Sequence, residues 1–277
     1  MEKKIDELKE KARWVRCQVL EMISNAKKGH IGGAFSSTDV LVALYYGGIL
    51  KYKPKNPKWS NRDYFIISKG HSGVALYAIL ADLGYFSTEE LEKFCDGGIL
   101  GGHPDRNIPG IEADTGSLGH GLGIAAGIAL AAKMDKKQIK SIVLLGDGEC
   151  YEGSVWESAQ FAAHHKLNNL IAIVDRNMQG VTDFTEDANK LEPLDEKWKA
   201  FGWNVKKIDG HSFKEILRVF TELEKDKSDK PCVIIAKTVK GKGVDFMECK
   251  LAWHHSVPKN EKLTNARNQL NDNREVQ

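Results

Sequence analysis

Apolar residues follow two different periods along the chain, and together these periods predict alternating helices and strands. From Ile5 to Met22 they recur every three or four positions, which is the spacing of one face of an amphipathic helix over residues 4–26. Shorter apolar runs predict strands at 64–68, 142–145, 170–174, 203–208 and 233–238. Because helical segments separate these runs, we expect an α/β fold with a parallel, doubly wound sheet.

The predicted helices differ in how clearly their ends are marked. Glycines within 29–33 are expected to end the first helix, and Ser36–Asp39 are expected to cap a second helix over 40–46. Further helices are predicted at 74–83, 154–164, 196–201 and 213–224, and a glycine- and alanine-rich helix is predicted to end near Ala132. Segment 97–105, which is rich in glycine, predicts a loop, and the residues after Pro258 form a polar tail that is either helical or loose.

Composition limits the class of protein more than it identifies the function. The 277 residues, 42% of them hydrophobic, predict a single α/β domain spanning 1–277. A net charge of +2 without a basic block predicts no nucleic-acid partner. The N-terminus lacks an apolar leader and the longest apolar stretch, 122–132, is too short to cross a bilayer, so we expect a cytoplasmic protein without a membrane partner. The five cysteines form no Cys-x-x-Cys pair and are expected to stay reduced.

Polar side chains follow two of the predicted strands. Asp147 stands between two glycines after the strand at 142–145, and Asn177 follows the strand at 170–174. Because parallel strands end at one edge of a sheet, we expect both side chains at the same edge. A carboxylate and an amide oxygen are ligands that Mg²⁺ accepts when phosphate oxygens complete its coordination shell. Taken alone, Gly146-Asp-Gly148 also fits an ordinary strand followed by a glycine turn.

The motif Gly146-Asp-Gly-Glu-Cys-Tyr-Glu-Gly153, followed by Trp156-Glu-Ser-Ala159, resembles that of transketolases, which are thiamine diphosphate enzymes. The spacing from Gly148 to Asn177 also matches the diphosphate signature of thiamine diphosphate enzymes. Other segments resemble transketolase motifs in the same order along roughly residues 5–258: 27–33, 67–71, 102–104, 115–119, 238–243 and 252–254. The sequence departs from the family pattern at Asp105, Ile31 and Ser117, and the last two replace prolines, so the rigidity of their loops is expected to differ.

The resemblance implies a set of site residues. Mg²⁺, with Ca²⁺ as an alternative ion, would be bound by Asp147, Asn177 and the backbone carbonyl of Gln179. The diphosphate would be surrounded by the Gly148 amide, Lys69, His71, Lys240 and His254. The aminopyrimidine would meet backbone groups of Gly116 and Leu118, and Val181 would pack against the cofactor. Above the thiazolium, the catalytic histidines His30, His71, His103 and His254 would orient the sugar and move protons near neutral pH. Glu152, which the resemblance also places among the cofactor-binding residues, and Glu157 would join a carboxylate network that links two active sites across a subunit interface.

Some of these residues have a second interpretation. Lys69 and Lys240 fit equally well as solvated surface lysines. His164, His165 and His255 lie outside any matched motif and are expected to be structural. The pairs His164-His165 and His254-His255 suggest a transition-metal site only weakly, because adjacent side chains seldom converge on one ion.

The resemblance covers the first domain of a transketolase, so it implies a partner subunit that carries the aminopyrimidine-binding domain, most simply in an α₂β₂ assembly. That domain supplies the family's glutamate for the aminopyrimidine ring. The implied reaction transfers a two-carbon ketol unit from a ketose phosphate to an aldose phosphate. Two alternatives remain: a fragment similar to deoxyxylulose phosphate synthase, which Glu152-Gly153 and Ala252-Trp-His254 argue against, and a non-catalytic regulatory or scaffold subunit.

Overall fold

The computed structural model describes residues 2–272. Its helices are α1 (Glu2–Ala26), α2 (Ile31–Tyr46), α3 (Gly73–Asp82), α4 (Gly121–Met134), α5 (Gly153–His164), α6 (Thr185–Ala188), α7 (Leu194–Ala200), α8 (Phe213–Lys225) and α9 (Glu261–Asn271). The strands are β1 (Tyr64–Ile67), β2 (Ser141–Gly146), β3 (Leu170–Arg176), β4 (Asn204–Asp209) and β5 (Cys232–Lys237). No helix in this part of the chain is long and apolar enough to cross a membrane.

The strands form one parallel sheet in the order β1-β2-β3-β5-β4, which confirms the predicted α/β class. The chain adds β1, β2 and β3 side by side, passes to the far edge for β4, and returns with β5 between β3 and β4. Because every strand runs in the same direction, all their carboxyl ends lie along one edge. Open sheets of this type bind ligands at that edge.

Successive residues of the central strands point to opposite faces of the sheet and enter two separate hydrophobic cores. In β2, Ile142 and Leu144 pack with α1, α2, α3 and α8, whereas Val143 and Leu145 pack with α4, α5 and α7. Helices therefore cover both faces, which explains why these strands read as continuous apolar runs. The strand ends stay accessible at the edge of the sheet, where the polar residues lie.

The start of α2 was predicted wrongly. Residues Ser36–Asp39, expected to cap a helix beginning at Val40, lie inside a helix that begins at Ile31. The hydroxyls of Ser36 and Ser37 donate to the Gly33 carbonyl at 3.1 and 2.8 Å, so they bond back into the helix. Such back-bonding and capping use the same side-chain types, and only the tertiary fold decides between them.

Two smaller differences concern strand and helix ends. Strand β3 continues through Asp175 and Arg176, which pair with β5, whereas the apolar run stops at Val174. A polar residue can extend a buried strand when its side chain finds partners, as Asp175 does. The polar tail after Pro258 contains α9, which packs on α1 through Ala266 and Leu270.

Candidate active site

A cavity of about 450 Å³ opens at the carboxyl edge of the sheet. Its walls come from the ends of β1, β2 and β3, from the start of α2, and from the loops after β5 and before α4. The predicted site residues that line it are His30, Lys69, His71, His103, Gly116, Leu118, Asp147, Gly148, Asn177, Gln179, Val181, Lys240 and His254. The sequence motifs, which are far apart along the chain, therefore meet in one place.

Asp147 is a buried carboxylate directly after β2, and both of its oxygens accept hydrogen bonds. Its Oδ1 accepts from the Gly148 amide at 2.8 Å, and its Oδ2 accepts from the Met178 amide at 2.6 Å and from Arg176 Nη1 at 3.2 Å. Burial, followed by the neighbouring Asp175 charge, raises the pKa of Asp147 despite the contact with Arg176. A bound cation would lower that pKa again.

The two other predicted metal ligands lie on the same wall. Asn177 Oδ1 accepts from the Gln179 amide at 3.1 Å, and the Gln179 carbonyl accepts from Lys240 Nζ at 3.2 Å. With Asp147 they supply three oxygen donors, one of them charged, which is the donor set that Mg²⁺ prefers. The chemistry of this donor set therefore fits a hard cation, which would share two of its ligands with Arg176 Nη1 and Lys240 Nζ. The described residues contain no cluster of three His, Cys, Asp or Glu side chains arranged to bind a metal.

Both predicted lysines are buried, so their interpretation as solvated surface lysines was wrong. Lys69 Nζ forms an ion pair with Asp175 and also donates to Ser37 Oγ at 2.9 Å and to the Gly33 carbonyl at 3.1 Å. Burial alone raises the pKa of Asp175, but the Lys69 ammonium and several hydrogen bonds hold that pKa below its ordinary value. The charge of Lys69 is therefore largely balanced, whereas no carboxylate pairs with Lys240 among the described contacts.

Lys240 is the cation in this cavity whose charge depends on pH near neutrality. Burial, and next the Lys69 charge, lower the pKa of Lys240 to about 8. Its ammonium donates to the carbonyls of Gly180 and Gln179 at 2.6 and 3.2 Å. Because an ammonium attracts a diphosphate and a neutral amine does not, binding of a diphosphate ligand should weaken as the pH rises through this value.

We expect the dissociation constant for thiamine diphosphate, measured by calorimetry with Mg²⁺, to rise about tenfold from pH 7 to pH 9. The lysine loses its proton over this range, and the loss of one charge contact accounts for the change. Lys240→Arg keeps the charge and should show a much flatter profile, which makes it the control. An equal fall in affinity in the arginine variant would show that another group is responsible.

His30, which precedes α2, forms a cluster with the three other predicted histidines. The ring centroid of His30 lies 5.2 Å from that of His71, 6.1 Å from that of His103 and 5.3 Å from that of His254. His255, which was expected to be structural, also packs on His30 at 4.5 Å. Several imidazoles therefore face one volume, an arrangement suited to hydrogen bonding with a polyhydroxylated ligand.

Burial changes what these histidines can do at neutral pH. Burial is the main reason why the pKa of His30 falls to about 4. Burial and the Lys240 charge lower the pKa of His254 to about 3. Burial and the Lys69 charge also hold the pKa of His71 well below its ordinary value. Burial therefore keeps these three imidazoles neutral near pH 7 in this chain, and their role in moving protons stays a prediction. As neutral imidazoles they can donate or accept single hydrogen bonds.

His103 differs from the others because it lies on the exposed, glycine-rich loop before α4. Its ring packs against Gly116, whose φ of +133° is a conformation that favours glycine; a Cβ there would lie 2.7 Å from His103 Cδ2. The Thr115 amide donates to the Pro104 carbonyl at 3.2 Å, so the two loops are joined beside this contact. Gly116 thus leaves room for His103 at the cavity wall.

Two residues to which the sequence motifs assigned no role lie at this edge of the sheet: Glu149, which lines the cavity, and Arg176, which contacts Asp147. Glu149 is buried and accepts from Ser68 Oγ, from the Gly119 amide at 2.9 Å and from the Gly146 amide at 3.0 Å. Arg176 joins Asp147 to Glu186 and Glu192 in the segment after β3. Glu149 lies shortly after β2, and Arg176 is the last residue of β3. The sequence signal that could have identified them is a charged residue inside or shortly after an apolar strand.

The two carboxylates predicted to join a network across a subunit interface do not line the cavity. Glu152 precedes α5 and is exposed, and its amide donates to the carbonyl of Glu149 at 3.0 Å. Glu157 is exposed on α5 itself. Since both side chains are exposed on this chain, their role across a subunit interface stays a prediction, and the cofactor contact expected of Glu152 is not seen within this chain.

Comparisons with known proteins agree with this geometry. Residues 8–276 match the family model described as "Transketolase, thiamine diphosphate binding domain". The chain is 44% identical over 252 residues to a subunit of the apulose-4-phosphate transketolase of Phocaeicola vulgatus, covering 91% of this chain and 89% of that protein. It is also 44% identical over 256 residues to a 6-deoxy-6-sulfo-D-fructose transketolase subunit of Clostridium sp. (strain MSTE9), covering 92% of each.

The structure is similar to that of transketolase from Campylobacter jejuni, with a TM-score of 0.91 and 35% sequence identity. That similarity covers 96% of this chain but only 43% of the Campylobacter jejuni chain. The match therefore concerns one part of a longer enzyme.

Proposed function

Because the chain belongs to the transketolase family, in which it matches the thiamine diphosphate-binding domain, we propose that it is one subunit of a Mg²⁺-dependent enzyme that transfers a two-carbon ketol unit between sugars. The observation that carries this proposal is the single cavity in which Asp147, Asn177 and Gln179 lie with a histidine cluster. A scaffold that only kept the fold would have no need of this arrangement.

The residues of the cavity divide into two groups by chemistry. Asp147, Asn177 and the Gln179 carbonyl would bind Mg²⁺, and Lys240 and the Gly148 amide would face the diphosphate. When bound, thiamine diphosphate supplies the carbanion chemistry of ketol transfer. The chain's own contribution is to bind the charged end of this cofactor, to orient it and to exclude water from it.

The histidines would act on the sugar. Neutral His30, His71 and His254 can each donate one hydrogen bond and accept another, which suits a row of hydroxyls better than three positive charges would. His103 lines the cavity from an exposed loop and is the residue we assign to proton exchange with the reacting hydroxyl. This division follows from burial, which lowers the pKa of His30, His71 and His254 and keeps these imidazoles uncharged at neutral pH.

A partner subunit is the second element of the proposal. Both relatives described above are named as transketolase subunits, and this chain covers about nine-tenths of each. We propose that a second chain supplies the aminopyrimidine-binding domain and that the complete enzyme is an α₂β₂ assembly. The names of these relatives refer to apulose-4-phosphate and to 6-deoxy-6-sulfo-D-fructose, so the donor proposed here is a ketose with an anionic end.

The alternative of a fragment similar to deoxyxylulose phosphate synthase gains no support, since both relatives are named as transketolase subunits. The proposal is tested by assaying ketol transfer by this chain with its partner, using ketose phosphates and sulfonates as donors and aldose phosphates as acceptors. No transfer by the assembled complex with any donor would contradict it.

Within that assay, His103→Ala is expected to lower turnover by more than about tenfold while the affinity for thiamine diphosphate changes little. Loss of a general acid or base costs at least this much, and His103 lies away from the oxygen donors proposed for the metal. Steady-state rates and a parallel cofactor titration measure the two effects separately. His164→Ala, at the exposed end of α5, is the matched control and should leave both unchanged. A loss of cofactor affinity without a loss of turnover would contradict the role of His103.

A further inference from the structure

A buried network of charged side chains connects α1 and α2 to the end of β4. Arg16 in α1 donates to the two carboxylate oxygens of Asp39 in α2, at 3.1 and 2.6 Å, and to the Phe35 carbonyl at 3.0 Å. His211, which follows β4, has its Nδ1 2.6 Å from the same carboxylate. Arg16 and Asp39 are only 7% and 5% exposed. None of these side chains lines the cavity.

The hydrogen bonds of His211 define its tautomer. The backbone N–H of Val239 donates to Nε2 at 2.8 Å, so Nε2 carries the lone pair. Nδ1 therefore carries the proton and donates it to Asp39. Although burial alone raises the pKa of Asp39, the Arg16 charge and the bonds from Arg16 and His211 lower it to about 2. Asp39 is thus an ionised acceptor throughout the neutral range, and the imidazole is held in one tautomer.

The amide that donates to His211 belongs to Val239, the residue directly before Lys240. In the loop that follows β5, the Thr238 amide donates to the last carbonyl of β3 at 3.1 Å, and the Gly241 amide donates to the Gly32 carbonyl at 3.0 Å. Val239, between them, donates to the side chain of His211. Both ends of the loop are therefore fixed by backbone groups, and its centre is fixed by the imidazole.

The end of β4 is built to approach this loop closely. Gly210 precedes His211, and a Cβ at Gly210 would lie 2.5 Å from Thr238 Cγ2, so a larger residue there would separate the two segments. The Gly210 amide also donates to the Lys237 carbonyl at 2.8 Å. Because the segments touch, a change at His211 acts on the loop without passing through other side chains.

A buried ion pair is weak evidence for a role in stability alone. Taking two charges out of water costs free energy that their attraction often does no more than offset. Here the pair ends in an imidazole whose remaining nitrogen contacts the loop that carries Lys240. The arrangement orients a ring, and an oriented histidine with a carboxylate behind it is a common way to support a functional group in a neighbouring position.

We propose that His211 is a positioning residue for Lys240: held in one tautomer by Asp39, it fixes the Thr238–Val239 peptide, directly before Lys240, so that the Lys240 ammonium stays at the Gln179 and Gly180 carbonyls. This inference rests on the proposed function only in the identity of the anion, the diphosphate, that Lys240 would meet. The contacts with the two carbonyls, at 3.2 and 2.6 Å, exist without it.

The first test needs no cofactor. Hydrogen exchange of the 238–241 amides is measured in the full chain and in the variants His211→Leu and His211→Gln. Leucine removes the acceptor, and exchange at Val239 should become about tenfold faster, the effect of losing one hydrogen bond. Glutamine carries an oxygen that can accept from Val239 and an amide that can donate to Asp39, so it should restore most of the protection. Equal exchange in the wild type and the leucine variant would overturn the proposal.

The second test measures the effect on the site. In the complex with its partner, His211→Leu should raise the dissociation constant for thiamine diphosphate with Mg²⁺ about tenfold, with turnover at saturating cofactor within about twofold of wild type. His211→Gln should restore the affinity. Asp39→Asn, which removes the charge that fixes the tautomer, should behave like the leucine variant. Glu21→Gln in the exposed Arg267–Glu21 pair is its matched control and should change neither quantity.

These outcomes distinguish the positioning role of His211 from the proposed function of the chain. A purely structural role would lower the unfolding temperature of the leucine and glutamine variants alike and would leave the cofactor affinity of the folded protein unchanged, which overturns the inference. If the wild-type complex binds no thiamine diphosphate, the proposed function fails, and the exchange experiment alone decides the role of His211.

Discussion

Replacing Asp147 or Asn177 by alanine is expected to abolish Mg²⁺-dependent binding of thiamine diphosphate while the chain stays folded. Both side chains present oxygens at the ends of adjacent strands, and with the Gln179 carbonyl they form the donor set that suits this ion. Changes in groups that only support a metal ligand cost about 10- to 100-fold in affinity, so loss of a ligand itself should cost about 100-fold or more.

Asp147 needs a second variant because its carboxylate also accepts two backbone hydrogen bonds. Asp147→Asn keeps an acceptor oxygen for one of these amides and removes the charge, so it separates loss of the metal from much of the loss of local structure. Arg176 keeps Glu186 and Glu192 as partners in either variant.

Calorimetric titration of the assembled complex with cofactor and Mg²⁺ measures the effect, and thermal unfolding shows whether each variant is folded. Asp187→Asn, an exposed carboxylate in the neighbouring α6, is the control and should bind cofactor normally. If the Asp147 and Asn177 variants bind with wild-type affinity, the metal site lies elsewhere.

The second large effect concerns the partner: this chain alone is expected to be inactive in ketol transfer and to gain activity when the second subunit is added. The family's mechanism requires a carboxylic acid at the aminopyrimidine ring. Within residues 2–272, Glu149 is the one glutamate that lines the cavity. Its oxygens already accept from Ser68, Gly119 and Gly146, so it is not free for this role.

Exposed apolar side chains point to the same conclusion. Val181, Phe184 and Met178, all from the segment after β3, are 63%, 43% and 38% exposed, and Val181 lines the cavity. Ile124 in α4 and Phe161 in α5 are 38% and 41% exposed. Large apolar side chains exposed on a folded chain are candidates for burial against a ligand or a second chain.

The experiment compares the purified, folded chain with the same chain after addition of a candidate protein that carries the aminopyrimidine domain, both with cofactor and Mg²⁺. Ile124→Glu should weaken assembly, measured by sedimentation, because it would bury a charge. Met134→Glu is the control, because Met134, at the end of the same helix, is 74% exposed. Full activity of the lone chain would disprove the two-subunit proposal, and inactivity of the confirmed complex would favour a non-catalytic subunit.

The local pattern of the sequence was enough to identify the strands and the polar positions that follow them. A buried parallel strand needs an unbroken apolar run, so 142–145 and 170–174 marked β2 and β3 within two residues. All strands of a parallel sheet end at one edge, and for that reason the order of residues was sufficient to expect Asp147 and Asn177 near one another. The family motifs then implied which cofactor such an edge would bind.

Tertiary structure alone decided the charge state and the partners of these residues. The pKa of His254 falls to about 3 because the fold buries the ring near Lys240, which is 14 positions away in sequence but adjacent in space. Lys69 forms an ion pair with Asp175, and His211 contacts both Asp39 and the Val239 amide. These partners are far apart in sequence, so the local hydrophobic pattern could not predict the contacts. Desolvation and ion pairing depend on which segments pack together, and a hydrophobic pattern specifies only which face of each segment is buried.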